Sequence, residues 1–170
     1  MKYALKVFVV SFPSIVLPRM VEVRQKIPSP KLDDAASEIK KELHRIGLAK
    51  KIKPGARIAV TAGSRGVAFY PQILAAVVDE VKKVGGKPFL IPTMGSHGGA
   101  TPEGQIEVLR SLGITPEAVG APIQATMEVD FVGKLSNGTP VFVDRNMLKA
   151  DGIIVVGRVK PHTDFKDRIE

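Results

Sequence analysis

The spacing of apolar positions predicts two amphipathic helices in the first half of the chain. Apolar residues recur at helical spacing over residues 29–47, where Gly47 supplies a stop signal, and again over residues 71–84. The positions expected to face the core are Leu32, Ala36, Ile39, Leu43 and Ile46 in the first helix, and Leu74, Val77, Val78 and Val81 in the second. A third helix is predicted over residues 102–113, with Thr101 as its cap and Pro102 at its first position.

Short unbroken apolar runs predict buried strands between these helices. The runs cover residues 57–61, 88–91 and 153–156, and Ser136-Asn137-Gly138 is typical of a hairpin turn between two further extended segments. Alternation of strands and helices is typical of a parallel sheet with helices on its faces. We therefore predict an α/β fold: a mostly parallel, Rossmann-like sheet with flanking helices and a small β-hairpin.

Each of the three predicted strands is followed by a loop rich in glycine, proline or hydroxyl side chains. Because parallel strands end at the same edge of a sheet, these loops are expected to converge there although they are far apart in sequence. The candidate site residues that they contain are Ser64, Arg65, His97, Lys160 and His162.

The side chains in these loops suit acid–base chemistry and anion binding. Histidine in such a loop can act as a general acid or base or as a metal ligand, and small residues beside His97 leave it little to pack against, which favours a functional role. Arg65 can bind a carboxylate or phosphate through its planar guanidinium, or be an ordinary surface arginine beside a helix start. Lys160 and Asp164 can tune the proton affinity of His162 or form a solvated charge cluster.

Composition narrows the class of protein further. The chain has 170 residues, about one domain, and its lack of cysteine excludes a disulfide scaffold and cysteine-based sites. Of its three histidines, His44 lies in a charged helical stretch and is expected at the surface. Two loop histidines are a weak metal signature, so no metal ligand is predicted. The glycine-rich loops match neither the dinucleotide fingerprint nor the Walker A pattern.

The positive charge is concentrated near the amino terminus. Residues 1–53 hold 12 Lys/Arg against 5 Asp/Glu, so this segment carries +7 of the chain's net charge of +8. Such a segment can attract phosphates or nucleic acid, but it lacks interleaved aromatics and a recognition motif, so a solvated helix face is favoured and nucleic acid is the least favoured partner.

The first residues resemble a signal peptide only superficially. Two lysines precede an apolar stretch over residues 7–17, but Pro13 and the absence of a small-residue cleavage pattern argue against a signal peptide. The stretch is also shorter than the ~20 residues of a membrane span. We predict an amino-terminal extension over residues 1–19 and a domain over residues 20–170, in a cytoplasmic protein without a membrane partner.

Taken together, the loop motifs resemble the amino-terminal domain of lactate racemase and its relatives, which use a nickel-pincer nucleotide cofactor. The resemblance runs from about residue 20 to the end of the chain and rests on AGSRG (62–66), MGSHGGAT (94–101) and KPHTDF (160–165). It implies that His97 and His162 are acid–base catalysts on opposite sides of a 2-hydroxy acid and that Arg65 binds an anion of substrate or cofactor. It also implies that the substrate's C2 hydride moves to the cofactor and returns to the other face.

The resemblance also defines what the chain is expected to lack. Ala62 stands where the racemase pattern has an aspartate, which points to a divergent relative with a substrate other than lactate. The family's cofactor-attachment lysine, nickel-ligating histidine and second domain correspond to positions after Glu170. We therefore expect the front half of a racemase or epimerase, inactive without its carboxyl-terminal domain. The alternative is a non-catalytic anion- or nucleotide-binding α/β module, which would lack a downstream glycine-rich segment with a lysine.

Overall fold

The computed structural model describes residues 19–26, 28 and 31–158. The chain divides into two units, residues 1–31 and 32–170. The described residues of the first unit form neither helix nor strand. All the elements named below belong to the second unit, and none of its described helices is long and apolar enough to cross a membrane.

The described part of this unit contains six helices and five strands. The strands are β1 (Arg57–Ala62), β2 (Lys87–Pro92), β3 (Val129–Lys134), β4 (Pro140–Asp144) and β5 (Gly152–Ile154). The helices are α1 (Ala35–Arg45), α2 (Leu48–Lys51), α3 (Tyr70–Lys83), α4 (Pro102–Ser111), α5 (Pro116–Val119) and α6 (Arg145–Leu148), with a 3-10 turn over Gly98–Ala100.

The main sheet is parallel, as predicted. Its strand order is β2-β1-β5, with Ala59 of β1 opposite Phe89 on one side and Ile153 on the other. β3 and β4 form a separate antiparallel hairpin. Its turn is the predicted one: Gly138 takes a φ of 86° and its N–H donates to the Leu135 carbonyl over 2.9 Å. The predicted fold class is therefore confirmed.

The core lies mainly between the sheet and α3. Helices α3 and α4 contact the sheet, and α1 packs against α3. The fully enclosed members of this core include Val60, Leu74, Val81, Leu90, Leu109 and Ile114. On the other face of the sheet Ala59, Phe89 and Ile91 pack against Met147 and Ala150. All four predicted core positions of α3 are buried, which confirms its predicted inward face.

The first helix starts later than its apolar spacing predicts. Asp34 accepts a hydrogen bond from the Ser37 N–H over 2.9 Å and so caps α1, while Leu32 lies before the helix and is 63% exposed. In a helix that began earlier, the Ser37 N–H would bond to a backbone carbonyl of the preceding turn. Because the Asp34 side chain accepts this bond instead, the helix begins at Ala35, although the apolar spacing starts before it. At the other end Gly47 takes a φ of 70°, as the stop signal predicts, and α2 follows directly.

A buried carboxylate joins α1 to α3. Glu80 is 2% exposed, and its two oxygens bond to His44 Nε2 over 2.7 Å and to Lys83 Nζ over 2.9 Å. These hydrogen bonds, chiefly the one from Lys83, hold the pKa of Glu80 below its usual value. The His44 side chain itself is 70% exposed, so its predicted surface position is confirmed.

The third strand of the sheet is shorter than predicted. β5 covers Gly152–Ile154, whereas the apolar run predicts a strand over residues 153–156. Val156 lies beside β1 but bonds to the Thr61 side chain instead of the β1 backbone. The Thr61 hydroxyl thus ends the strand ladder while keeping the chain at the carboxyl edge of the sheet.

Candidate functional site

A cleft of about 520 Å³ lies at the carboxyl edge of the parallel sheet. It is bordered by the loops that follow β1 and β2 and by the segment that follows β5. The residues that line it are Thr61, Gly63, Ser64, Arg65, Val67, Tyr70, Thr93, Met94, His97, Val155, Val156, Gly157 and Arg158. Its volume is within the ~300–1,000 Å³ of small-molecule sites.

The Arg65 loop is held by a buried tyrosine. The Gly63 N–H donates to the Tyr70 hydroxyl oxygen over 2.8 Å, and Tyr70 is 2% exposed. Burial raises the pKa of Tyr70, so its hydroxyl stays neutral at physiological pH. The turn into α3 places Phe69 at a φ of 56°, a conformation that non-glycine residues rarely adopt. The result is a compact loop that presents Ser64, half-buried, and Arg65, exposed, to the cleft.

The His97 loop continues from β2 along the same edge. The Thr93 N–H donates to the Ala62 carbonyl over 2.8 Å, which joins the start of this loop to the end of β1. The His97 N–H donates to the Met94 carbonyl over 3.3 Å, and Met94 is buried. His97 itself is exposed and lines the cleft. Its imidazole therefore combines a defined backbone position with access from solvent.

The third border of the cleft is the segment after β5. The Val156 N–H donates to Thr61 Oγ1 over 2.9 Å, and the Thr61 hydroxyl donates to the Val156 carbonyl over 3.2 Å. Gly157 and Arg158 follow and line the cleft. The predicted site residues Lys160 and His162 lie outside the described residues. The structure thus brings Ser64, Arg65 and His97 together, as the parallel sheet predicts.

Sequence reasoning missed three residues of this cleft. Arg158 gives it a second guanidinium, and its only signal was its place in the loop that follows the third apolar run. The sequence pattern predicted Thr61 only as a strand residue and Tyr70 only as the residue before a helix. Their roles depend on partners that the local pattern does not reveal.

The chemistry of the cleft favours an anion and a transferable proton. Two arginines can bind carboxylate or phosphate oxygens, with hydroxyls nearby to donate further hydrogen bonds. An imidazole beside the same space can accept or donate a proton. Among the described residues no group of three His, Cys, Asp or Glu side chains could hold a metal ion. The described part of the cleft therefore fits the anionic portion of a substrate or nucleotide, but does not by itself fit nickel.

A larger groove, of about 730 Å³, lies at the amino edge of the sheet. Its lining is mostly aliphatic, from α1, α2, β1 and β5, with Lys51, Lys53 and Asp151 as its charged residues. Among the described residues that line it there is neither histidine nor arginine. The histidine and arginine side chains that suit acid–base chemistry and anion binding therefore line the smaller cleft at the carboxyl edge.

The chain is an α/β domain with a cleft outside the carboxyl ends of its parallel strands, the place where α/β proteins with open sheets usually bind their ligands. In comparison with known protein families, residues 10–165 match the family described as the lactate racemase N-terminal domain. The chain belongs to this family, and the resemblance inferred from its loop motifs is confirmed. No curated protein sequence matches it significantly.

Proposed function

We propose that this chain is the substrate-binding front half of a 2-hydroxy-acid racemase or epimerase that uses a nickel-pincer nucleotide. The observation that supports it best is the joint placement of Ser64, Arg65 and His97 on one cleft, in a chain of the lactate racemase N-terminal domain family. Racemisation of a hydroxy acid needs a group for its carboxylate and a base for its hydroxyl, and these side chains supply both.

Arg65 binds the carboxylate of the substrate or an anionic group of the cofactor. A guanidinium offers parallel N–H donors that match the two oxygens of a carboxylate, which fixes orientation as well as position. Arg65 forms no ion pair with another described side chain, so its charge is available to a ligand. Ser64, Arg158 and Lys160 complete the anion-binding set, with the Ser64 hydroxyl as a neutral donor.

His97 accepts the proton of the C2 hydroxyl at an imidazole nitrogen and later returns it. When bound, the cofactor supplies the acceptor for the C2 hydrogen as hydride. His162 is the matching base for the mirror-image substrate, because inversion at C2 requires a proton acceptor on each face. The small residues around His97 leave room for the substrate to approach its ring.

Cofactor attachment and nickel ligation belong to residues outside the described part of the chain. The nearby donors, hydroxyls and guanidinium groups, suit the anionic portion of a nucleotide far better than a divalent metal. We therefore propose that the domain over residues 20–170 works with a carboxyl-terminal domain that carries the attachment lysine and a nickel-ligating histidine. Ala62, in place of the family's aspartate, favours a substrate other than lactate.

The test is a racemisation assay on the complete protein that contains this domain. The protein is produced in cells able to build the cofactor, its nickel content is measured, and each enantiomer of a panel of 2-hydroxy acids is followed by chiral chromatography. We expect inversion of at least one acid by the nickel-containing protein. A folded, nickel-loaded protein that inverts none of them, yet binds phosphate or nucleotide through Arg65, would support the non-catalytic anion-binding module instead.

A further inference from the structure

We propose that Gln105 is a positioning residue for His97, acting through one buried hydrogen bond to the loop that carries the histidine. The proposal rests on the role proposed above for His97. Gln105 lies on α4, outside the set of side chains that line the cleft. Its contribution is to fix where the base stands.

The amide of Gln105 is buried and points to the loop. The residue is 4% exposed, and its Nε2 donates to the Gly95 carbonyl over 2.8 Å. Burying an amide is unfavourable unless its polar atoms find partners, so a buried glutamine is kept for a specific bond. Here the bond crosses from α4 to the residue two positions before His97. It restrains the loop on the amino-terminal side of the histidine.

A backbone contact restrains the loop on the other side. A Cβ built on Gly98 would lie 2.3 Å from the carbonyl carbon of Gly104, which shows that loop and helix backbones touch. Thr101 adds a second link, because its hydroxyl donates to the Gly98 carbonyl over 3.1 Å and accepts from the Gly104 N–H over 3.0 Å. His97 therefore lies between two anchor points on the same helix.

Loss of the Gln105 bond should affect the loop more than the fold. Gly95 is exposed, so water can satisfy its carbonyl once the amide is removed. The remaining contacts of α4 with β2 and the cap at Thr101 do not involve this bond. The base would then sample positions away from its productive one, and small misplacements of a reacting group reduce turnover by up to about 100-fold.

The experiment compares Gln105→Met with Gln124→Met. Both replace a glutamine by an uncharged side chain of similar length, but the Gln124 amide oxygen accepts from Arg57 Nη2 over 3.3 Å, away from the cleft. Gln105→Glu is a second variant, because a carboxylate keeps the size and polarity but cannot donate. Hydrogen exchange is measured across the loop and α4 of the chain itself. The turnover number and KM are measured on the cofactor-loaded protein.

We expect faster amide exchange over residues 95–100 in both Gln105 variants and unchanged exchange in α4. Loss of one hydrogen bond should raise the local opening equilibrium, and with it the exchange rate, by about 2–10-fold. Turnover should fall about 10–100-fold with little change in KM, and Gln124→Met should change neither. Unchanged loop exchange, or exchange that rises equally in loop and helix, would overturn the positioning role. So would unchanged turnover with a loosened loop. If the wild-type protein racemises none of the hydroxy acids, the proposed function fails. Amide exchange of the loop still tests whether Gln105 restrains it.

Discussion

Replacing Gly104 by alanine should destabilise the protein, contrary to the usual effect of this change within a helix. Gly104 is the third residue of α4, and alanine is ordinarily favoured over glycine in helices by about 1 kcal/mol. Here a Cβ at position 104 would lie 1.8 Å from the Gly98 carbonyl oxygen and 2.7 Å from its carbonyl carbon. Both atoms are backbone, so no side-chain rotation can relieve the overlap. Either the His97 loop or the first turn of α4 must move.

The magnitude follows from these opposing effects. Overpacking of a tight contact costs about 1–3 kcal/mol, and a backbone overlap this close belongs at the upper end. Subtracting about 1 kcal/mol of gained helix preference leaves a net loss of about 2 kcal/mol in the free energy of unfolding. For a chain of this length that loss corresponds to a decrease in Tm of about 4–8 °C.

Thermal and urea unfolding of wild type and Gly104→Ala measure this loss. Gly66→Ala is the matched control, since a Cβ there would meet nothing within 4 Å. We expect the control to stay within about 0.5 kcal/mol of wild type. A Gly104→Ala protein as stable as wild type, or more stable, would show that the loop does not rest against the α4 backbone, and the restraint argued for His97 would lose one of its two anchor points.

Three further predictions concern the buried carboxylate, the metal and the anion. Glu80→Gln should reduce the free energy of unfolding at pH 7 by about 1 kcal/mol, because charged hydrogen bonds to partly exposed partners are lost. Since the pKa of Glu80 is lowered in the folded protein, chiefly by its hydrogen bond to Lys83, this stabilisation is complete above the unfolded carboxyl pKa of about 4.3 and is lost as the pH falls through the folded value. Urea unfolding from pH 7 to 3 should show the two proteins converging, and a constant difference would contradict the assignment. The 170-residue chain alone should bind nickel only weakly by calorimetry, and tight stoichiometric binding abolished by His97→Ala would contradict this. In the complete enzyme, Arg65→Lys should mainly raise KM through loss of the bidentate contact, and an unchanged KM would remove Arg65 from substrate binding.

The fold was predictable where local pattern and tertiary packing agree. The inward face of α3 and the parallel order of β1 and β2 follow from apolar spacing and from alternation of strands and helices. Element ends were less predictable, because single polar contacts decide them. Asp34 starts α1 after the apolar period has begun, and Thr61 ends the ladder of β5 before its apolar run is over.

The candidate site shows the same division. Arg65 and His97 could be placed on one edge from topology alone, because parallel strands end together. Gln105 could not be connected to the site, since its partner Gly95 is ten positions away and the local sequence pattern predicts neither its burial nor its hydrogen bond. The contact of Gly98 with Gly104 has only a weak sequence signal, which is a glycine inside a predicted helix. The reason for that glycine, the close approach of the two backbones, is visible only in the structure.

The central claim, that His97 is a base in a hydroxy-acid racemase, is tested most directly by comparing His97→Ala with His44→Ala. Both variants remove an exposed histidine, but only His97 lines the cleft. Racemisation of the preferred 2-hydroxy acid is measured on the complete, cofactor-loaded protein, with thermal melts to establish that each variant is folded. We predict a loss of about 10²–10⁴-fold for His97→Ala and near-wild-type rates for His44→Ala. A folded His97→Ala protein that racemises its substrate at the wild-type rate would contradict the claim.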